Sequence, residues 1–240
     1  MNYPWKVRFD PKKVFEARKF VPILVQSAAQ KRYSSDMTQN LDKQPTVFIV
    51  DDDPAIRFAM QALMDSVNIE HEIFASGDEF LEGVNDHRAG CLVLDIRMPG
   101  LGGLELQEEL VKRGSTLPII FITGHGDVPM AVDAMQKGAV DFIQKPFRDQ
   151  DLLDRIREAL KTDQERRAEQ KKHAEVAERL SRLTNREREV FDLVVTGKPN
   201  KVIAYELGVS QRTVEIHRAR VMEKMQARSL ADLVKMHMTA

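Results

Sequence analysis

Short apolar runs alternate with longer amphipathic segments from Thr46 onward, and this alternation constrains the fold more than any other feature of the chain. The short runs suit buried strands, and the longer segments have the spacing of surface helices. Strands are predicted at Val47–Asp51, Glu70–Phe74, Cys91–Asp95, Pro118–Thr123 and Asp141–Gln144. Helices are predicted at Pro54–Val67, Gly77–Val84, Leu104–Arg113 and Val128–Lys137, and from Asp149 onward. Such alternation predicts an α/β fold with a doubly wound five-stranded parallel sheet.

Charge divides the chain into an acidic and a basic block. Residues 46–147 carry 7 Lys and Arg against 17 Asp and Glu, whereas residues 179–240 carry 12 against 7. This asymmetry predicts two domains with different partners, a cation for the first and a polyanion for the second. The single cysteine, Cys91, cannot form an internal disulfide, and no apolar run reaches the roughly 18 residues that span a bilayer. We therefore expect a cytoplasmic protein without membrane contact.

Acidic, hydroxyl and basic side chains stand where successive predicted strands end. The first strand leads into Asp51 and Asp52, the third ends in Asp95, the fourth in Thr123, and Lys145 follows the fifth. Ligands of a doubly wound sheet bind beyond the carboxyl ends of the strands, so these side chains are expected to converge. Three carboxylates repel one another without a cation, and an open site with few ligands suits Mg²⁺. A carboxylate beside such a metal can form an acyl phosphate, with Lys145 and Thr123 holding the phosphoryl oxygens.

These strand ends lie in motifs that resemble the receiver domain of two-component response regulators. The motifs are Val50-Asp51-Asp52-Asp53, Leu94-Asp95-Ile96-Arg97-Met98-Pro99-Gly100, Ile122-Thr123-Gly124-His125-Gly126-Asp127 and Lys145-Pro146-Phe147. The Thr-Gly-His-Gly-Asp segment and Ala139-Val140-Asp141-Phe142 are similar to the FixJ subgroup of that family. The resemblance covers about residues 46–162 and implies a doubly wound sheet of the flavodoxin-like type.

The resemblance implies a role for each residue of the acidic pocket. Asp95 is the implied phosphoacceptor. The implied Mg²⁺ ligands are Asp52 and Asp95 directly, Asp51 through water, and the backbone carbonyl of Arg97. Thr123 and Phe142 are the implied switch pair and Lys145 the phosphate-binding lysine, with a cis Lys145–Pro146 bond.

Two enzyme classes are the alternatives for this pocket. Phosphatases and phosphotransferases of the haloacid dehalogenase type also form an aspartyl phosphate, but they need a second acid two residues after the nucleophile. Arg97 stands at that position. A nucleotide-binding fold is weaker still, because no glycine-rich phosphate loop follows the first strand. We therefore expect a regulator and not an enzyme.

Spacing over residues 200–219 indicates a helix-turn-helix, with a generic helical hairpin as the alternative. Ala204 is small enough for two helices to approach closely, and Gly208 can take the left-handed conformation that ends a helix. Val214 can fill the angle between the helices, and Ser210 can cap the second one.

The basic block also resembles the LuxR-type DNA-binding domain over about residues 179–240. The motifs are Leu183-Thr184-Asn185-Arg186-Glu187-Arg188-Glu189-Val190, Asn200-Lys201-Val202-Ile203-Ala204, Thr213-Val214-Glu215-Ile216-His217-Arg218, Lys224-Met225 and Ser229-Leu230-Ala231. The resemblance implies an all-α domain of four helices with the recognition helix inside Ser210–Met225.

Helical periodicity predicts which face of the recognition helix meets DNA. One stripe holds Val214, Arg218, Val221 and Met225, and the opposite side holds Arg212, Glu215, Ile216, Ala219, Arg220 and Glu223. Ile216 suits thymine methyl groups and Glu215 suits cytosine. Phosphate is the expected partner of Lys201, His217 and Arg218. Arg212, Thr213, Ala219 and Arg220 complete the candidate contacts, and a salt-bridged surface is the alternative for the charged ones.

Both resemblances together imply a transcription regulator that a sensor histidine kinase activates by phosphorylating Asp95. A small domain of net charge +5 binds DNA weakly alone, so we expect a homodimer on double-stranded operator DNA after phosphorylation, with RNA polymerase as a further partner. Either receiver pairing or release of a masked DNA-binding domain would follow the switch. The second functional class is a phosphorylation-independent DNA-binding protein whose receiver is a fixed dimerisation module.

Two segments lie outside the two expected domains. Residues 163–178 are rich in charged helix formers and are interpreted as a solvated helical linker. Residues 1–45 are basic with scattered apolar residues and are predicted to be a mostly disordered extension. Met37 is the hypothesised natural start of the protein.

Overall fold

The structure is a computed structural model and describes residues 44–84, 88–124 and 128–239, without the side chains of Val128, Pro129 and Ala131. The expectations for the N-terminal extension, with the start at Met37, concern a segment of which only residues 44 and 45 are described. The residues His125-Gly126-Asp127 of the FixJ-like segment also lie outside the described residues.

The first part of the chain forms the expected α/β fold. Its strands are β1 (Thr46–Val50), β2 (His71–Phe74), β3 (Gly90–Asp95), β4 (Ile119–Thr123) and β5 (Asp141–Gln144). The sheet order is β2-β1-β3-β4-β5, and every neighbouring pair is parallel. The helices between and after the strands are α1 (Pro54–Ser66), α2 (Gly77–Gly83), α3 (Gly103–Lys112), α4 (Val128–Gln136) and α5 (Asp149–Ser181). The predicted doubly wound parallel sheet is confirmed, with element bounds that agree within a few residues.

Alternating residues of the strands fill two cores, one on each face of the sheet. Phe48, Leu92, Leu94 and Phe121 pack with Phe80 and Leu106 of α2 and α3 on one face. Val47, Ile49, Val93 and Ile120 pack with Met60, Met64, Leu152 and Ile156 of α1 and α5 on the other. Because β2 and β3 lie on opposite sides of β1, the strand order reverses between β1 and β3, and their carboxyl ends form a crevice. Asp51 follows the first of these strands and Asp95 ends the second.

Side-chain caps begin several helices. In the sequence, Asp53 before Pro54 predicts a cap for the first helix, and Ser76 with Glu79 predicts a capping box for the second. The Asp53 carboxylate accepts the amide of Ala55 at 2.8 Å and caps α1. The Ser76 hydroxyl accepts the Glu79 amide at 3.2 Å, but the Glu79 carboxylate accepts the amide of Ala75, at 2.6 Å, and not that of Ser76. The Ser76 cap is therefore confirmed, and the return bond of the box falls one residue earlier because the Glu79 side chain reaches past the cap.

Helix α5 is continuous from the receiver sheet into the C-terminal helices. Its first turns bury Leu152, Leu153 and Ile156 against the sheet, and its last turns bury Val176 and Leu180 in a third core. The expected solvated linker at residues 163–178 is wrong at Val176, which packs in the third core, and at Asp163, whose carboxylate contacts the sheet and two arginines.

Four helices follow: α6 (Asn185–Val195), α7 (Asn200–Leu207), α8 (Gln211–Met225) and α9 (Leu230–Thr239). Gly208 ends α7 with φ 64° and ψ 36°, the left-handed conformation that its position predicts. Val214 is buried at the junction of α7 and α8, and Ser210 caps α8 by accepting the Thr213 amide at 3.1 Å. The helix-turn-helix is thus confirmed. No helix of the described residues is both long and apolar enough to cross a membrane.

Candidate phosphorylation site and DNA-binding face

The Lys145 ammonium lies between two carboxylates at the crevice of the sheet. Its Nζ donates to Asp51 Oδ2 at 3.0 Å and to Asp95 Oδ1 at 2.7 Å. Both carboxylates are buried, whereas the Lys145 side chain is about one-quarter exposed. The structure therefore brings together three of the residues that the strand ends predict, one each from β1, β3 and β5.

Backbone amides complete the hydrogen bonding of the two carboxylates. The Asp53 amide donates to Asp51 Oδ1 at 2.9 Å, and the Arg97 amide donates to Asp95 Oδ2 at 2.8 Å. Burial raises the pKa of Asp51, although the Asp53 amide and Lys145 oppose this shift. Burial also works against the charge of Lys145, but its hydrogen bonds to Asp95 and Asp51 outweigh this effect and raise its pKa. The site thus holds two buried anions with one cation between them.

Asp52 does not join this pair, since it is exposed beyond the end of β1. Among residues 44–84, 88–124 and 128–239, no three His, Cys, Asp or Glu side chains are arranged to hold one metal ion. The expected convergence of three carboxylates is therefore not seen, and Lys145 supplies the cation that we expected a metal to supply. The donor set still fits Mg²⁺, because Asp51 and Asp95 offer hard carboxylate oxygens and the pair retains excess negative charge. Receiver domains bind Mg²⁺ at this position.

Thr123 and Phe142 lie on the neighbouring strands β4 and β5. Thr123 is buried, and its hydroxyl donates to the Ile143 carbonyl over 3.4 Å, a long and weak hydrogen bond. Phe142 is half-buried and packs against the core that includes Phe121. The Lys145–Pro146 bond is cis, as the resemblance implies.

Arg57 is a contact of the pocket that the sequence analysis did not single out. Its guanidinium donates to the backbone carbonyl of Asp51 at 2.7 Å from the first turns of α1. The spacing of Arg57, one helical turn after the Asp53 cap, was a usable signal, because a first-turn residue points back toward the strand that precedes the helix.

Helix α8 presents a mixed charged and apolar face to solvent. Val214, Val221 and Met225 are buried, while Arg212, Glu215, Ile216, Ala219, Arg220 and Glu223 are exposed. Ile216 is 48% exposed, and Lys201 of α7 is exposed as well. The predicted division of this helix into a buried and an exposed side is confirmed.

Three candidate DNA contacts are partly withdrawn from solvent. Arg218 is half-buried and donates to the Asn200 side chain at 3.0 Å. The Thr213 hydroxyl lies 2.8 Å from that of Ser210 in the cap. His217 is half-buried, and its Nδ1 is buried without a hydrogen-bond partner among the described residues. These contacts fit Arg218 and His217 at the margin of the exposed face and not at its centre.

Comparison with known proteins agrees with both halves of the chain. Residues 47–157 match the response regulator receiver domain, and residues 181–237 match the bacterial regulatory proteins of the luxR family. Nodulation protein W of Bradyrhizobium diazoefficiens is 49% identical over 193 residues, which cover 80% of this chain and 85% of that protein. The transcriptional regulatory protein FixJ of Azorhizobium caulinodans is 44% identical over 194 residues, 81% of this chain and 92% of that protein.

Solved structures give the same result. The response regulator StyR superposes with a TM-score of 0.77 at 44% identity, over 82% of this chain and 100% of that one. Full-length FixJ from B. japonicum superposes with a TM-score of 0.52 at 40% identity, over 82% of this chain and 97% of that one. The chain is therefore a FixJ-like response regulator of two-component systems, a transcription regulator in which a receiver domain precedes a LuxR-type DNA-binding domain.

Proposed function

We propose that Asp95 accepts a phosphoryl group from a sensor histidine kinase and that this modification controls operator binding by α8. The single observation that carries the proposal is the placement of Lys145, whose ammonium contacts both Asp51 and Asp95 in the crevice of the sheet. The ammonium lies at the carboxylate that would be modified, so it can also contact an oxygen of a phosphoryl group on Asp95 and balance part of its negative charge.

The transfer step is an attack by a carboxylate oxygen of Asp95 on the phosphorus of a phosphohistidine. The new P–O bond forms as the P–N bond breaks, and the bonding electron pair returns to the imidazole nitrogen, which takes a proton from water. Lys145 Nζ, 2.7 Å from Asp95 Oδ1, is positioned to stabilise the developing phosphoryl charge. The Arg97 amide, 2.8 Å from Asp95 Oδ2, orients the nucleophile.

The proposed Mg²⁺ ligands are Asp52 and Asp95 directly, Asp51 through water, and the Arg97 carbonyl. Mg²⁺ supplies Lewis-acid stabilisation of the phosphoryl oxygens when it is bound. Asp52 lies directly beyond Asp51 in the chain, and because its side chain is exposed it can turn toward the crevice without leaving a buried position.

Thr123 and Phe142 form the proposed switch. The hydrogen bond from the Thr123 hydroxyl to the Ile143 carbonyl is long and weak, so a phosphoryl oxygen on Asp95 competes for this hydroxyl at low cost. Movement of Thr123 frees space beside β5, and the half-buried Phe142 can rotate into it. A changed surface around α4 and β5 then favours either a receiver homodimer or release of the DNA-binding domain.

Operator recognition is assigned to the exposed face of α8 together with Lys201. Ile216 and Glu215 are placed to read base edges, with Arg212, Ala219 and Arg220 beside them on the same face. Phosphate contacts from Lys201, Thr213, His217 and Arg218 would fix the register. A homodimer on a two-fold site doubles these contacts, and RNA polymerase is the proposed further partner.

Acid-labile phosphate incorporation from acetyl phosphate tests the phosphorylation step. Asp95→Asn should abolish incorporation, and chelation of Mg²⁺ should stop it in the wild-type chain. Asp53→Asn is the matched control, because Asp53 is an acid of the same acidic motif as Asp51 and Asp52 but serves as a helix cap, a role that asparagine also fills. Equal loss in both variants would show that the carboxylate roles are wrongly assigned.

DNA binding with and without acetyl phosphate tests the regulatory step. The probe is a double-stranded fragment that the wild-type chain selects from a random-sequence pool in the presence of acetyl phosphate. We expect phosphorylation to tighten binding and Asp95→Asn to remove the gain. If the wild-type chain takes up phosphate but its affinity for DNA does not change, the receiver is a fixed dimerisation module instead.

A further inference from the structure

Asp163 is a buried carboxylate far from the phosphorylation site. Its side chain is only 2% exposed, and its Oδ2 accepts the backbone amide of Gly90 at 3.0 Å and Arg167 Nε at 2.6 Å. Arg166 donates to the other carboxylate oxygen. A carboxylate this deeply buried is stable only when its charge is paired and its oxygens are hydrogen-bonded, and these three donors meet that need.

The partner of Asp163 on the sheet is the first residue of β3. Gly90 has φ +148°, and a Cβ built there would lie 1.8 Å from the Thr46 carbonyl oxygen, so only glycine fits. Arg167 donates in addition to the backbone carbonyl of Arg88. The Arg88 side chain binds the Glu72 carboxylate at 2.6 and 2.7 Å, and so ties this edge to β2. Asp163 is thus held by a connected set of contacts at the amino-terminal edge of the sheet.

Between these contacts and the third core, helix α5 buries no side chain against the described residues. Residues 168–175 are all exposed, and the next buried residue is Val176. This bare segment of about 12 Å is too short to be a stable helix on its own, because helices below about 12–15 residues are marginal in water. Its helical structure therefore depends on how firmly each end is held.

We propose that Asp163 is a positioning residue that anchors the connecting helix to the amino-terminal end of β3. Because β3 ends in Asp95, one strand carries the phosphoacceptor at one end and the anchor of the connecting helix at the other, about 17 Å apart. The anchor keeps residues 164–175 helical and transmits the state of the receiver to the DNA-binding helices. The second half of this statement rests on the phosphorylation function proposed above.

Asp163→Asn in the full chain tests the anchor. It keeps the size of the side chain and removes the charge that Arg166 and Arg167 neutralise. Glu165→Gln is the matched control, since it removes the same charge two residues along the same helix from an exposed side chain. Arg167→Gln is the second variant and removes the bridge to Asp163 and Arg88.

Two readouts separate the anchor from the coupling. Hydrogen exchange of residues 164–175 should become at least about tenfold faster in Asp163→Asn and Arg167→Gln, the effect of losing one charge-assisted hydrogen bond. Glu165→Gln should exchange like the wild type. Phosphate uptake from acetyl phosphate should stay within about twofold of the wild type in all three variants, since the anchor lies at the other end of β3. The gain in affinity for the selected DNA fragment on phosphorylation should fall in the two anchor variants only.

Each outcome decides a separate statement. Equal exchange in Asp163→Asn and Glu165→Gln overturns the anchor. Faster exchange with an undiminished gain in DNA affinity overturns the coupling. If the wild-type chain itself shows no phosphate uptake or no gain in affinity, the proposed function fails, and the exchange measurement still decides whether Asp163 is an anchor.

Discussion

The ion pair between the buried Glu187 and the half-buried Lys224 offers a quantitative test of what stabilises the DNA-binding domain. The Glu187 carboxylate, only 3% exposed, accepts Lys224 Nζ at 2.6 Å and the Thr184 amide at 2.8 Å, which joins the start of α6 to the end of α8. The hydrogen bond from Lys224 is the largest cause that lowers the pKa of Glu187, from 4.5 to about 2. Lys224→Met removes this partner and leaves the carboxylate with the Thr184 cap alone.

The pKa of Glu187 sets the size of the expected loss. A pKa lowered from 4.5 to about 2 corresponds to about 3 kcal/mol of stabilisation of the folded domain when the group is ionised. Because the Lys224 side chain is 34% exposed, water screens the pair, and we expect about 2 kcal/mol to be lost in Lys224→Met. Since the pKa is lower in the folded than in the unfolded state, this stabilisation is fully present above about pH 4.5 and is lost as the pH falls toward 2.

Hydrogen exchange of peptides from α6 in the full chain measures this loss without interference from the receiver. A loss of about 2 kcal/mol makes exchange about 30-fold faster at pH 7. Urea titrations at pH 7 and pH 3, read by the same peptides, should show a smaller fall in the unfolding free energy with acid in the variant than in the wild type. Lys235→Met is the matched control, an exposed lysine on α9. Equal exchange in the two variants, or an unchanged acid dependence in Lys224→Met, would refute the reasoning.

Further predictions concern the DNA-binding face and two glycines. Lys201→Ala should weaken binding to every sequence and lower the slope of log affinity against log salt by about 0.9, the value for one phosphate contact, whereas Ile216→Ala should cost about 1 kcal/mol only at sites with a thymine to lose. Fluorescence anisotropy measures the affinity of both variants for a set of operator sequences. If the two variants lose the same affinity on every sequence, the face of α8 assigned to base contacts is wrong. Gly208→Ala should cost about 1 kcal/mol from its φ of +64° alone, because no atom of the described residues lies within 4 Å of the added Cβ. Gly90→Ala should prevent the receiver from folding, because the added Cβ overlaps the Thr46 carbonyl oxygen. A thermal melt should then show no unfolding transition of the receiver, and a transition like that of the wild type would contradict this.

The fold and the centre of the pocket follow from the sequence because both depend on pattern and topology. Parallel strands present their carboxyl ends at one edge, so Asp51, Asp95 and Lys145 are brought together by chain order and by the buried alternation of each strand. The facing of α8 follows equally well, because Val214, Val221 and Met225 repeat at helical spacing. Both predictions rest on the spacing of residues along the chain, which does not depend on the orientation of any one side chain.

Side-chain direction and charge balance could not be predicted in the same way. Asp51 and Asp52 both follow β1, yet only Asp51 is buried, and alternation alone does not tell which of two successive acids turns inward at the end of a strand. Electrostatic repulsion between the acids predicts that a cation lies between them, but it does not tell whether that cation is a metal ion or a lysine side chain. In the structure this cation is the Lys145 ammonium. Lys145 is far from both acids in the sequence, so the pairing becomes evident only when β5 is placed beside β4.

The position of Asp163 in the sequence indicates its burial, although the residue is charged. It lies seven residues after the buried Ile156 and four after the buried Ala159, so helical spacing places it on the same stripe. An interpretation based on hydrophobicity alone ends this stripe at Ala159, because it assigns every carboxylate to the solvent-exposed side of a helix. The sheet edge, however, offers a backbone amide at Gly90, and two arginines follow on the next turn of the helix. An acid that continues an apolar stripe and has arginines three and four residues later is therefore better interpreted as a buried anchor than as the start of a linker.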